Sequence, residues 1–170
     1  VITLSAPKTI TYGDPAITNL LATTNPNKPL KISFSKSGVV EVNANTLKVL
    51  NAGSTYMYVS QEASTGYSAV DTSFYLQIGK KNLIAKAADK VKEIGDDNPT
   101  LSITYSGLAS GDTPELVLTS LPTISCAAVV DSPIGTYPII VEGGVANSNY
   151  ILNMQNGTLT INARKVKKTP

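Results

Sequence analysis

Few side chains in this sequence are suited to bond-making chemistry. Four aspartates, Asp14, Asp96, Asp97 and Asp112, stand in turn contexts, where clustered carboxylates could hold a hard cation such as calcium. Asp96 and Asp97 are adjacent and are the best candidates. No D-x-D-x-D-G loop accompanies them, and turn formation and helix capping account for all four. Cys126 is the single thiol of the chain. Histidine is absent, so no imidazole can activate that thiol, and the apolar neighbours in TISCAAVV point to a buried structural residue. The lack of histidine also removes Ser-His-Asp catalysis and imidazole metal ligands. One cysteine allows no internal disulfide. Nothing marks any pair among the 12 acidic residues as the facing carboxylates that glycoside hydrolysis needs. The chain is therefore expected to be no enzyme, with no catalytic residue, no cofactor and no metal.

Binding chemistry has a better candidate. In GSTYMYVSQ, residues 53–61, alternation puts Tyr56 and Tyr58 on one face and Met57 and Val59 on the other. With Tyr75 they could form an exposed strip for stacking on sugars, or fill the core and cross-strand positions. The RKVKK stretch at 164–168 is too short to argue for an anionic partner, and a solvated terminus or inter-module strand explains it better. Asn156-Gly157-Thr158 is a formal glycosylation sequon, but Asn-Gly between two strands reads first as a hairpin turn.

The elements that would position these residues are mostly strands. Charged residues make up 15% of 170 residues and the net charge is +2, which argues for neither nucleic acid nor an anionic membrane as partner. No apolar run approaches the roughly 20 residues that span a bilayer. Strand patterns are read at 2–5, 30–35, 39–42, 47–50, 53–61 and 72–78, with Asn43-Ala44-Asn45 as a hairpin turn. Further strands are read at 83–87, 101–105, 123–127, 137–141, 150–153 and 158–161. Between the second and third of these, Asp112 as N-cap, Glu115 three residues later and Pro122 as a stop predict a helix over 113–120. Leu116, Val117 and Leu121 would be its apolar stripe. A turn followed by a strand at LVLTS is the alternative.

The two halves also correspond. TYGDPAI at 11–17 resembles EIGDDNPTL at 93–101, placing Gly13 and Gly95 82 positions apart. Tyr67 and Tyr150, like Ile78 and Ile161, stand 83 apart. Two consecutive domain-sized units are expected, meeting at GKKN, 79–82.

In 80–163 the ordered segments KKNLIAKAADKVKEIGDDNPTL, YSGLASGDT, SPIGTYPIIVEGG, NYIL and NGTLTI resemble the MBG domain of YGX type. Ile94 stands where that family usually has tyrosine before the glycine, which keeps an apolar anchor. The resemblance implies a β-grasp-like fold, a sheet on a short helix, in extracellular repeat arrays linked to adhesion. Residues 1–79 resemble a bacterial Ig-like domain, a β-sandwich, through Val40, Val42, Leu47, Leu50, Gly53 and Val59 in SGVVEVNANTLKVLNAGSTYMYVSQEA. Residues 164–170 would be a tail or the start of a further repeat. Together these imply a monomeric, non-catalytic module pair of a bacterial cell-surface protein, its export signal outside these residues. Its role would be adhesion or a stalk, and its partners neighbouring repeat modules and an unknown extracellular glycan or protein, or none. A carbohydrate-binding module using the tyrosines is the alternative.

Overall fold

The computed structural model describes residues 1–7 and 9–164. Of the basic stretch at 164–168 and the expected tail or further repeat at 164–170, all but Arg164 lies outside them. The fold is mostly β with one short helix, as the sequence predicts. The chain divides into two units: Val1–Lys81 with Ser148–Tyr150, and Asn82–Asn147 with the residues from Ile151 on.

The first unit holds β1 (Ile2–Leu4), β2 (Ile10–Thr11), β3 (Leu21–Thr23), β4 (Lys31–Phe34), β5 (Val40–Asn43), β6 (Thr46–Val49), β7 (Gly53–Gln61) and β8 (Val70–Gly79). A four-stranded sheet runs β2-β8-β7-β4, and β1-β3 and β5-β6 form two-stranded ribbons. Strand alternation sends Met57, Val59, Leu76 and Ile78 inward from the sheet, where they share a core with Ile2, Leu21, Val40 and Leu47 from the ribbons. Full burial of such side chains stabilises by roughly 1.5–3 kcal/mol each. The expected hairpin at Asn43-Ala44-Asn45 closes on Ala44 and Asn45, both at positive φ (46° and 62°), the backbone of a two-residue turn that follows strand twist. Asn45 then reaches across the unit. Its Oδ1 accepts from the Leu21 N–H at 2.8 Å and its Nδ2 donates to the Leu21 carbonyl at 2.9 Å, so one side chain imitates a strand neighbour.

The second unit holds β9 (Lys81–Ala87) and β14 (Tyr150–Gln155) except for their first residues, with β10 (Lys90–Glu93), β11 (Ile103–Ser106), α1 (Pro114–Val117), β12 (Leu118–Cys126), β13 (Gly135–Ala146) and β15 (Gly157–Asn162). Its sheets run β10-β15-β13-β12 and β11-β9-β14. Ala85 and Ala87 of one meet Ile139, Val141, Leu159 and Ile161 of the other. The small alanines allow close approach between the sheets.

Several expectations need correction. The helix is a single turn, because Leu118 already has extended backbone and β12 carries on from there. The apolar stripe does not form: Val117 is buried, but Leu116 and Leu121 are exposed. The N-cap is Thr113 rather than Asp112, with no side-chain capping bond. Glu115 still behaves as an acid in a first turn should, its carboxyl held below the usual range by its own backbone N–H and by the Thr113 hydroxyl. Asn156-Gly157 is no hairpin. It carries the chain from β14, beside β9, to β15, between β10 and β13. Cys126 is half-buried against the core rather than fully enclosed.

Strands β2, β3 and β10 escape the sequence reading. The first two are two and three residues long. In β10 the pattern is inverted: Val91 is exposed and Lys92 is 6% exposed. The Lys92 ammonium donates to the carbonyls of Asp96 (3.0 Å), Val129 (2.8 Å) and Val130 (3.4 Å), which compensates its burial.

Asn45→Ala is expected to destabilise the chain by about 1–3 kcal/mol, since it leaves both Leu21 backbone groups without their partner. Urea denaturation measures this, and a loss under a few tenths would show that water replaces the amide. Gly107, at φ +92°, has room for no side chain: a Cβ there would stand 2.2 Å from the Asn82 carbonyl oxygen. Gly107→Ala should cost about 3 kcal/mol or more. Gly111→Ala, at φ +87° in open space, should cost only the backbone share of about 1–2 kcal/mol. Equal losses in thermal melts would mean that the close approach contributes nothing.

Candidate functional site

The outward face of the β2-β8-β7-β4 sheet gathers the polar and aromatic side chains that alternation sends away from the core. Register sets them in rows. Lys31, Ser60 and Asp71 lie side by side, then Ser33, Tyr58 and Ser73. Tyr56 then faces Tyr75, and Ser54 faces Gln77. Tyr56, Tyr58 and Tyr75 are 47%, 47% and 53% exposed, so they belong to the surface and not to the core. They touch one another: Tyr56 and Tyr75 have ring centroids 5.2 Å apart, and Tyr56 and Tyr58 6.4 Å apart with planes 18° from parallel. Mutual support limits each ring's freedom, which favours a preformed surface over three loose side chains.

At the Tyr58 end the face dips into a shallow cleft of about 440 Å³. Lys31, Ser33, Ser60, Asp71 and Ser73 line it with Tyr58. Lys31 bonds to Glu62, and both groups stay exposed. That hydrogen bond, reinforced by charge attraction, raises the Lys31 ammonium above its ordinary value and lowers the Glu62 carboxyl. The pair therefore persists across neutral pH. Its contribution is lost as pH falls through the lowered Glu62 value or rises through the raised Lys31 value.

Sequence reasoning found Tyr56, Tyr58 and Tyr75 but missed Lys31, Asp71 and Ser73. Their signal is their parity on β4 and β8, which identifies a face only once the register between strands is known.

The aspartates do other work. Asp14 closes a turn, its Oδ2 accepting from the Thr11 N–H at 2.8 Å. Asp112 stands in the turn from Ala109, its N–H donating to that carbonyl at 3.1 Å. Asp96 pairs with Arg164, Oδ1 to Nη2 at 2.9 Å. Asp97 is exposed beside it. Among the described residues no group of three or more His, Cys, Asp or Glu side chains could hold a metal ion, and no helix is long and apolar enough to cross a membrane.

The anchors of the internal correspondence divide. Gly13 and Gly95 both have φ 82°, and each follows a short strand paired parallel to the last strand of its unit: Ile10 with Ile78 in one, Lys92 with Ile161 in the other. The Tyr12 N–H donates to the Gly79 carbonyl and the Ile94 N–H to that of Asn162, both at 2.9 Å. Tyr67 and Tyr150 do not correspond, being 38% and 3% exposed. Ile94 is half-buried against the core, as an apolar anchor should be.

Residues 83–160 match the MBG domain of YGX type. The match spans β10 to β14 complete and takes in most of β9 and β15. Physical reasons for some of the motif residues are now visible. Gly107 of YSGLASGDT sits against the Asn82 backbone, and Tyr137 of SPIGTYPIIVEGG ties its strand to the preceding turn, its hydroxyl donating to the Pro133 carbonyl at 2.9 Å. No curated protein and no solved structure matches the chain.

Millimolar calcium is expected to leave the melting temperature unchanged, because the Asp96 carboxylate is already engaged by Arg164. A calcium-dependent rise in a thermal shift assay would reinstate Asp96 and Asp97 as ligands.

Proposed function

We propose that the chain is a non-catalytic module pair of a bacterial cell-surface protein, acting outside the cell as a tension-bearing spacer in an adhesive array. The surface setting rests on the MBG match of the second unit, a domain typical of surface proteins. The Ig-like reading of the first unit, tandem repetition and adhesion belong to the same proposal.

The observation that carries the spacer role is the parallel pairing of an early strand with the final strand in each unit. Tension along the chain pulls the early strand toward its start and the final strand toward its end. Parallel neighbours drawn in these opposite senses are sheared, so their hydrogen bonds are loaded together. An antiparallel terminal pair would instead be unzipped, one bond at a time. A module that spends its working life under load gains from the first arrangement, since forced unfolding is governed by the unfolding rate.

Single-molecule stretching of the chain by its ends tests this. Ile94→Pro removes the N–H that donates to the Asn162 carbonyl at the end of the β10-β15 pair. It should lower the rupture force of the second unit more than it lowers that unit's melting temperature. An unchanged rupture force in a folded variant would count against a load-bearing role.

A further inference from the structure

We propose that the outward face of β4, β7 and β8 is a glycan-binding site for a neutral oligosaccharide. Three features of the face select that chemistry.

The first is the ring cluster. Tyr56, Tyr58 and Tyr75 leave about half of their surface to solvent while fixing one another in place. A tyrosine ring offers an apolar surface to the C–H face of a pyranose and a hydroxyl to its rim. The second is the company the rings keep. The hydroxyls of Ser33, Ser60 and Ser73 and the carboxylate of Asp71 line the cleft beside Tyr58. Hydroxyls both donate and accept, and a carboxylate accepts, which suits a ligand whose polar groups are mostly hydroxyls.

The third is charge. At this end of the face Lys31 is bonded to Glu62, and Lys28 also acts on Glu62, so that together with the Asp71 carboxylate the charges balance. Such a balance gives a sulfated or sialylated chain no net positive charge to meet, and a basic peptide no net negative one. A neutral polyhydroxylated chain meets neither difficulty, and its hydroxyls can donate to Asp71. Length agrees. From Ser54 to Ser60 the face runs roughly 20 Å along β7, suited to several sugar units in a row. A stable protein partner would need about 800 Å² with an apolar centre, whereas this strip is bounded by Ser54, Ser60, Ser73 and Gln77.

The test uses the whole chain, which lacks tryptophan, so that emission comes from its eight tyrosines, three of them on the face. Xylan, soluble starch and a mixed-linkage β-glucan serve as neutral probes and heparin as the anionic one, in native affinity electrophoresis and fluorescence titration. Retardation by at least one neutral polysaccharide, with a change in tyrosine emission, is expected. Tyr56→Ala and Tyr75→Ala should each weaken it about tenfold, the scale of one lost aromatic contact, while Tyr56→Phe keeps most of it. Circular dichroism establishes that each variant is folded. If an alanine variant is not, the exposed substitutions Asp71→Asn and Ser73→Ala take its place and should also weaken binding. Retardation by heparin alone, by none of the neutral probes, or equally in every folded variant would overturn the site. Any of these results leaves the spacer role intact, because that rests on the stretching experiment.

Discussion

An early strand held in parallel against the last strand is the pairing on which each unit depends. No local contact can make it. Lys90–Glu93 meets Leu159–Asn162 only after everything between has brought the two ends together, and the entropy of that closure must be met by the intervening sheets. Once formed, the pair places Ile10 beside Ile78, both buried, and Lys92 beside Ile161, also both buried. The left-handed glycines Gly13 and Gly95 then turn the chain away from the pair in the same manner. The two units share this closure although their ribbons and sheets differ.

Lys92 shows how one closure tolerates two chemistries. Where the first unit buries Ile10, the second buries an ammonium and surrounds it with three carbonyls from two loops. The exchange is not conservative in either direction. An aliphatic side chain at 92 would take a donor from each of those carbonyls, leaving Val129 and Val130 only the N–H groups of Ser132 (3.1 Å) and Gly95 (3.3 Å), and a lysine at 10 would have to find acceptors of its own.

Legibility from sequence followed the same physics. Strands β7 and β8 could be read because period-two alternation survives in Met57, Val59, Leu76 and Ile78, and the same alternation exposed Tyr56 and Tyr58. Strand β10 could not, because its buried residue is a lysine and its exposed one a valine, and only the three carbonyls make sense of that. The helix is shorter than Asp112, Glu115 and Pro122 suggest, because the cap falls on Thr113, Pro122 lies within β12 and Leu118 is claimed by β13. Its partner in register is Ala146, 28 positions on, a distance at which local signals carry no information. The site was half legible for a similar reason: parity names the tyrosines on one strand, but cross-strand register brings Lys31, Asp71 and Ser73 to them.

The passage at Asn156 sets a limit on how such modules can diverge. One residue separates β14 from β15, and around it the chain changes sheets. Asn156 Oδ1 accepts from the Val141 N–H at 2.9 Å, and Gly157 stands so close to Ala87 that a Cβ would lie 2.8 Å from its carbonyl oxygen. An inserted residue here would shift β15 by one position and turn Leu159 and Ile161 outward, exchanging core for surface along the whole strand. Homologous modules should therefore vary in length at turns such as 107–113 and keep a fixed count from Tyr150 to Ile161, a stretch that can serve as the ruler for aligning them.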